Sequence, residues 1–181
     1  VRREDYERLG GHMALRDDIM EDFALARLVD RAGLAAGAFP AGDMLLVNMH
    51  ETWASFASGW KRIFMAGAGR KVRRLRRWTL RVGLACALLP VAVGAGVAGA
   101  ALMDAPGWSR WSAIGVGAFG LVSLAVAIGV LYRSQRAPWW SVVLNPVGYA
   151  VAAWIMWRAA RTVASREPVA WGGREYVFEP R

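Results

Sequence analysis

Three long stretches of this chain carry no charge, and they constrain its fold more than anything else in it. Val82 to Leu102 holds 21 residues, Trp111 to Tyr132 holds 22 and Ala137 to Trp157 holds 21, with no Asp, Glu, Lys or Arg among them. At 1.5 Å per residue, each run makes a helix roughly 30 Å long, about the thickness of a bilayer's hydrocarbon core. A soluble all-helical core is the alternative, and three charge-free runs of this length argue against it. The expected architecture is mainly α, with two to three transmembrane helices. The first two runs read as complete spans. The third contains Asn145-Pro146, where a helix loses a backbone donor and kinks, so it either spans or re-enters.

Tryptophan placement agrees. Trp78, Trp108, Trp111, Trp139, Trp140, Trp154 and Trp157 gather at the ends of these runs. Indole favours the membrane–water boundary, where one edge of the ring is wet. The formal charge of +9 admits nucleic acid or an anionic membrane as partner, and its placement decides. Seven basic residues and no acidic one lie between Arg70 and Arg81, directly before the first run. They are a topogenic collar, which puts that side in the cytoplasm. With no recognition motif beside them, the partner is the lipid bilayer and no nucleic acid is expected.

The topology contains one conflict. Three full spans would carry the C-terminus outward, yet Arg158, Arg161, Arg166 and Arg174 follow the last run and favour the inside. A re-entrant third run, or a first run broken near Pro90, reconciles the two. We read the C-terminus as cytoplasmic.

Several motif-like features carry no site. Gly94–Gly99 and Gly115–Gly120 both satisfy G-x-G-x-x-G, but inside apolar runs, where small residues let helices approach closely. His12 and His50 are isolated, and Cys86 has no partner cysteine. Leu34–Asp43 reads as a loop leading to a short strand, Met44–Met49.

Ahead of the membrane region, two segments read as helices. In the first, from Ile19 to about Ala32, Ile19, Phe23, Ala26 and Val29 recur at helical spacing. Asp18 reads as its N-cap, with Glu21 completing a capping box, and Gly33 as its stop. Glu21 is then explained by capping. Asp22 is an extra carboxylate at a helix start, the type of group that can be held rigidly and act as a general base. The second segment, His50 to about Gly69, places Trp53, Phe56, Trp60 and Phe64 on one aromatic face beside Lys61 and Arg62, as in a helix lying along a membrane surface. Packing on another part of the protein is the alternative.

The stretch YERLGGHMALRDDIMEDFALARLVDRAG, together with WGGREY at Trp171–Tyr176, resembles the acceptor side of membrane-bound family 2 glycosyltransferases. Within them it is most similar to the ceramide glucosyltransferase-like, hopanoid- or carotenoid-associated bacterial branch. The resemblance implies that Asp22 deprotonates an acceptor hydroxyl beside Glu21, and that Gly10 and Gly11 shape a turn next to the acceptor. It also implies a Q/R-x-x-R-W element on an interfacial helix that holds the diphosphate and the acceptor. Trp60, Lys61 and Arg62 stand near the expected distance from Glu21-Asp22. A literal match, Arg74-Leu75-Arg76-Arg77-Trp78, falls within the basic collar, so Arg74, Arg77 and Trp78 are the second choice.

On the same grounds the partners are a nucleotide sugar and a membrane lipid acceptor, and the cofactor is a divalent metal, Mg or Mn. The family holds that metal through D-x-D, which this sequence lacks. The chain starts at Val1, so it is expected to be the C-terminal part of a longer protein, inactive by itself, multi-pass in a bacterial plasma membrane with its catalytic side cytoplasmic. The expected division is the end of a GT-A α/β domain over 1–50, an interfacial region over 51–78, transmembrane helices over 79–160 and a tail over 161–181. The alternative is a non-enzymatic membrane scaffold or transporter subunit with a basic cytoplasmic collar.

Overall fold

A computed structural model of the chain describes residues 1–16, 20–35, 37, 49–102, 107–171 and 174–177. The described residues are mainly helical and form two compact units. The first comprises Val1–Val72 with Ala159–Arg181, the second Arg73–Arg158. The expected strand Met44–Met49, the Leu34–Asp43 loop beyond its start, and Asp18 lie outside the described residues.

In the first unit, α1 (Arg3–Arg8) carries two exposed ion pairs, Arg3 to Glu7 at 2.8 Å and Arg8 to Asp5 at 3.1 Å. Such pairs contribute well under about 1 kcal/mol each. The chain then turns through Gly10 (φ 83°) and Gly11 (φ 56°) into a 3₁₀ turn, Gly11–Leu15. Helix α2 spans Glu21–Arg31. It ends as expected at Gly33, in the left-handed conformation at φ 68°. There the Leu34 amide donates to the Val29 carbonyl and the Gly33 amide to Asp30, the paired bonds of a Schellman stop. Its start differs from the expectation. Met20 occupies the N-cap and no side chain caps from that position, so Glu21 is the first helical residue and not the third residue of a capping box.

Helix α3 (Trp53–Gly67) does begin with a capping box, made by Thr52 and Ser55: each side chain accepts from the other's amide, at 3.1 and 3.3 Å. Its aromatic face forms a ladder with ring centroids 5.5 Å apart for Trp53–Phe56, 6.2 Å for Phe56–Trp60 and 5.5 Å for Trp60–Phe64. The face buried in the protein is a different one, built from Ala57, Gly59 and Met65, while Trp53 stays 57% exposed. The ladder is therefore not the helix's core contact. A second Schellman stop, at Gly69 and Arg70, separates α3 from α4 (Val72–Arg81). The single basic-aromatic region expected over 51–78 is two helices.

The tail forms an antiparallel pair, β1 (Pro168–Trp171) with β2 (Arg174–Val177), pairing Trp171 with Arg174 and Pro168 with Val177. A Gly-Gly pair between two short apolar stretches is a hairpin signal that the sequence reading passed over. This pair is the only sheet among the described residues.

In the second unit, α4 runs without a break through a π-helical stretch, Val82–Leu88, into α5 (Leu89–Leu102). Pro90 does not break the run. Its ring would press on the carbonyl four residues back, Cys86, and the wider π turns around that residue give the room. Helix α6 (Gly107–Ser134) returns antiparallel to α5, with Gly94 facing Leu121 and Gly117 facing Val93 and Val97. At the hairpin end Arg110 donates to the Ala101 carbonyl at 2.6 Å, one of the carbonyls that α5 leaves without an internal partner. A 3₁₀ turn, Trp139–Leu144, leads into α7 (Asn145–Ser165). Pro146 falls in the first turn of α7, where its missing N–H costs nothing. Buried Asn145 accepts the Tyr132 hydroxyl at 3.0 Å.

Three helices, Val72–Leu102, Gly107–Ser134 and Trp139–Ser165, are long and apolar enough to cross a bilayer. In the first two, only 6% of the most apolar window is buried by protein. Leu84, Leu88, Val116, Phe119, Val126 and Val130 all stand exposed, as do Trp108, Trp111 and Trp139 at the ends. Apolar surface on that scale fits a lipid environment.

Candidate functional site

The Gly10-Gly11 turn is built as expected, and the structure shows why both residues are glycine. Each has positive φ, where a side chain costs roughly 1–2 kcal/mol. A Cβ on Gly11 would meet the Tyr6 ring at 3.0–3.1 Å. That ring sits there because the Tyr6 hydroxyl accepts the His12 amide at 2.9 Å and also bonds the His12 ring through Nδ1.

Glu21 and Asp22 occupy the first turn of α2, both exposed. Asp22 Oδ1 accepts the Phe23 amide at 2.8 Å, which ties Asp22 to the first turn of its own helix. A side chain bonded to the first turn of its own helix is fixed in direction. Glu21 interacts instead with Arg62 of α3. Partial burial pulls the Arg62 guanidinium below its ordinary range, and the Glu21 carboxylate pushes it back up. The structure thus brings together two of the sequence-predicted residues, Glu21 and Arg62, across α2 and α3. Trp60 is a rung of the aromatic ladder and Lys61 is half-buried beside it. Arg74 and Arg77, exposed, and Trp78, half-buried, belong to α4 in the second unit.

Between α2 and α3 lies a cleft of about 540 Å³. Met20, Phe23, Ile63 and Ala66 form its apolar wall, and Arg27, Arg31 and Arg70 contribute the cations. Phe23, Arg27 and Arg31 are four residues apart and so share one face of α2. Arg70 reaches the cleft from a left-handed backbone, φ 63°, at the end of α3; for a non-glycine residue that geometry costs of order 1 kcal/mol. Arg27 and Arg31 were not singled out from the sequence, and Arg70 was read there only as the first residue of the basic collar. The four-residue spacing on α2 was visible there, but nothing showed that this face meets α3. Asp22 is not among the residues that line this cleft.

Among the described residues, no three His, Cys, Asp or Glu side chains come together to hold a metal ion.

Compared with protein-family models, curated proteins and solved structures, the chain matches none.

Proposed function

We propose that this chain is the acceptor-side and membrane-anchoring part of a glycosyltransferase. The enzyme transfers a sugar from a nucleotide-sugar donor to the hydroxyl of a membrane lipid, with inversion at the anomeric carbon. The observation that carries the proposal is Asp22: an exposed carboxylate, anchored through one oxygen to the first turn of α2, a short stretch after the Gly10-Gly11 turn. Such a group suits a general base, being held in place with lone pairs left for a substrate proton. In the proposed step it removes the proton of the lipid hydroxyl as that oxygen attacks the anomeric carbon and the nucleoside diphosphate departs. Arg62 and Lys61 supply positive charge for acceptor or leaving group, and Glu21 sets the charge balance of Arg62. Three helices suited to crossing a bilayer, and an aromatic ladder left out of the protein core, fit a lipid acceptor.

The test is Asp22→Asn in the full-length protein, with sugar transfer to a lipid acceptor as the measurement. Asparagine keeps an oxygen for the Phe23 amide, so the fold and membrane insertion are retained while turnover falls by 10²-fold or more, the order expected for loss of a general base. Unchanged turnover would support the second reading, a scaffold or transporter subunit whose collar of Arg73, Arg74, Arg76 and Arg77 binds anionic lipid at about 1 kcal/mol per cation.

A further inference from the structure

We propose that the groove between the first apolar helix and α7 holds one acyl chain of an anionic glycerophospholipid, with the headgroup phosphate drawn to arginines at its rim. The inference does not rest on the glycosyltransferase reading. Both walls, residues 79–88 and 150–157, belong to the second unit.

The groove follows from side-chain size. Gly83 and Ala153 meet at its floor, where a Cβ on the glycine would lie 3.6 Å from the alanine methyl, so the two helices approach closely. Larger residues stand up on either side, Leu80, Leu84 and Leu88 from one helix and Trp154 and Trp157 from the other, all exposed. Most of the first wall is the π-helical stretch Val82–Leu88, and π turns inside α-helices gather at functional sites. The groove holds about 350 Å³. A single turn of helix, about 10 Å across and about 5 Å long, already fills that volume, so a slender chain fits better than a partner helix. Among the described residues the lining has no charged side chain, and the Thr79 hydroxyl donates to the Leu75 carbonyl at 3.0 Å. A hydrocarbon chain needs no polar partner, and each methylene seated there adds dispersion contacts that a gap lacks.

Charge selects the headgroup. Arg158 follows Trp154 by one turn, and its guanidinium lies 4.9 Å from the centroid of that ring. Arg76 precedes Thr79 by three residues and Leu80 by four, which puts it on the same face of α4. The sequence of the second unit contains nine arginines and one acid, Asp104, an excess that no pairing inside the unit can cancel. A basic collar attracts any anionic surface, whereas a groove for one chain retains a single lipid.

The experiment extracts the whole chain in detergent from vesicles of equal phosphatidylcholine and phosphatidylglycerol and counts the retained phospholipid by native mass spectrometry. One phosphatidylglycerol per chain is expected, in preference to phosphatidylcholine. Ala150→Phe places a ring in the groove and should abolish retention. Val147→Phe, on α7 but outside the lining, should leave it unchanged. Arg76→Gln with Arg158→Gln should keep a lipid bound but lower the preference for phosphatidylglycerol by about fivefold for each arginine. Helix content by circular dichroism guards against unfolding. The proposal is overturned if the wild-type chain retains no phospholipid, or retains both headgroups equally. It is also overturned if the folded Ala150→Phe variant retains as much lipid as the wild type, if Val147→Phe loses as much, or if the arginine variant keeps the full preference.

Discussion

The hydrogen bond that Asp22 makes and the base role proposed for it separate by substitution. Its Oδ1 satisfies the Phe23 amide, one of the donors that the start of α2 leaves without a helical partner. Asp22→Ala removes that acceptor and is expected to destabilise α2 by about 1 kcal/mol, whereas Asp22→Asn should cost only a few tenths. Thermal unfolding of the detergent-solubilised protein, followed by circular dichroism, distinguishes the two, and equal losses would mean that the hydrogen bond contributes nothing. Gly11 is a sharper case. Gly11→Ala combines a left-handed backbone with a methyl against the Tyr6 ring, so a loss of about 1–2 kcal/mol is expected. It should appear as faster tryptic cleavage at Arg8 and Arg16, because the turn that fixes this segment loosens. Both glycines were legible as a turn because glycine pairs mark turns in any chain. The tyrosine that excludes a side chain at Gly11 was not, since its contact is set by how α1 folds back onto the 3₁₀ turn.

Among the helices, local chemistry and packing divide the explanation differently from case to case. The ends of α2 and α3 at Gly33 and Gly69 follow from the chain's own hydrogen bonds, so the stops were readable. The start of α2 was not: Asp18 and Glu21 have the spacing of a capping box, yet the helix begins at Glu21 itself. Capping boxes and the pattern S/T/D-x-x-E share a signal that several registers satisfy, and tertiary contacts choose among them. The paired glycine motifs of the apolar helices show the same division. Sequence placed Gly115, Gly117 and Gly120 together as small residues for close helix approach. Only Gly117 faces the α5–α6 contact, where a Cβ would overlap Val97, while Gly115 and Gly120 face open space. Gly117→Leu is therefore expected to destabilise the α5–α6 pair by about 1–3 kcal/mol through overpacking, with Gly115→Leu and Gly120→Leu close to neutral. Melting temperatures in one detergent would measure all three, and a uniform loss would show that α6 meets α5 through another face.

For the whole molecule, the composition of the first unit gives an expectation for the number of crossings. It contains residues from ahead of the first apolar helix and residues after the last. If that unit lies on one side of a bilayer, the chain between its two parts crosses an even number of times. With two crossings from the α5–α6 hairpin, the stretch Trp139–Ser165 is then expected to enter and leave on one side. In a Cys86→Ala background, cysteines at Glu4, Gln135 and Glu175 should react with an impermeant maleimide from one side of sealed vesicles, and a cysteine at Gly107 from the other. Labelling of Glu175Cys with the Gly107 side would establish three crossings and require the first unit to come apart. On that topology the basic collar and the arginines after Trp157 would share one side, as the charge distribution favours.

The amino-acid sequence alone determined that this is a mainly helical chain with apolar helices long enough for a bilayer, where α2 stops, and that α3 carries an aromatic face. Each of these is written in neighbours a few residues apart, through helical periodicity, desolvation of uncharged side chains or a single glycine's freedom. Tertiary structure alone decided that Glu21 meets Arg62, that Arg27, Arg31 and Arg70 converge on one cleft, and that both ends of the chain share one body. Those pairings join residues tens of positions apart, and only the packing of one helix on another brings their charges within reach.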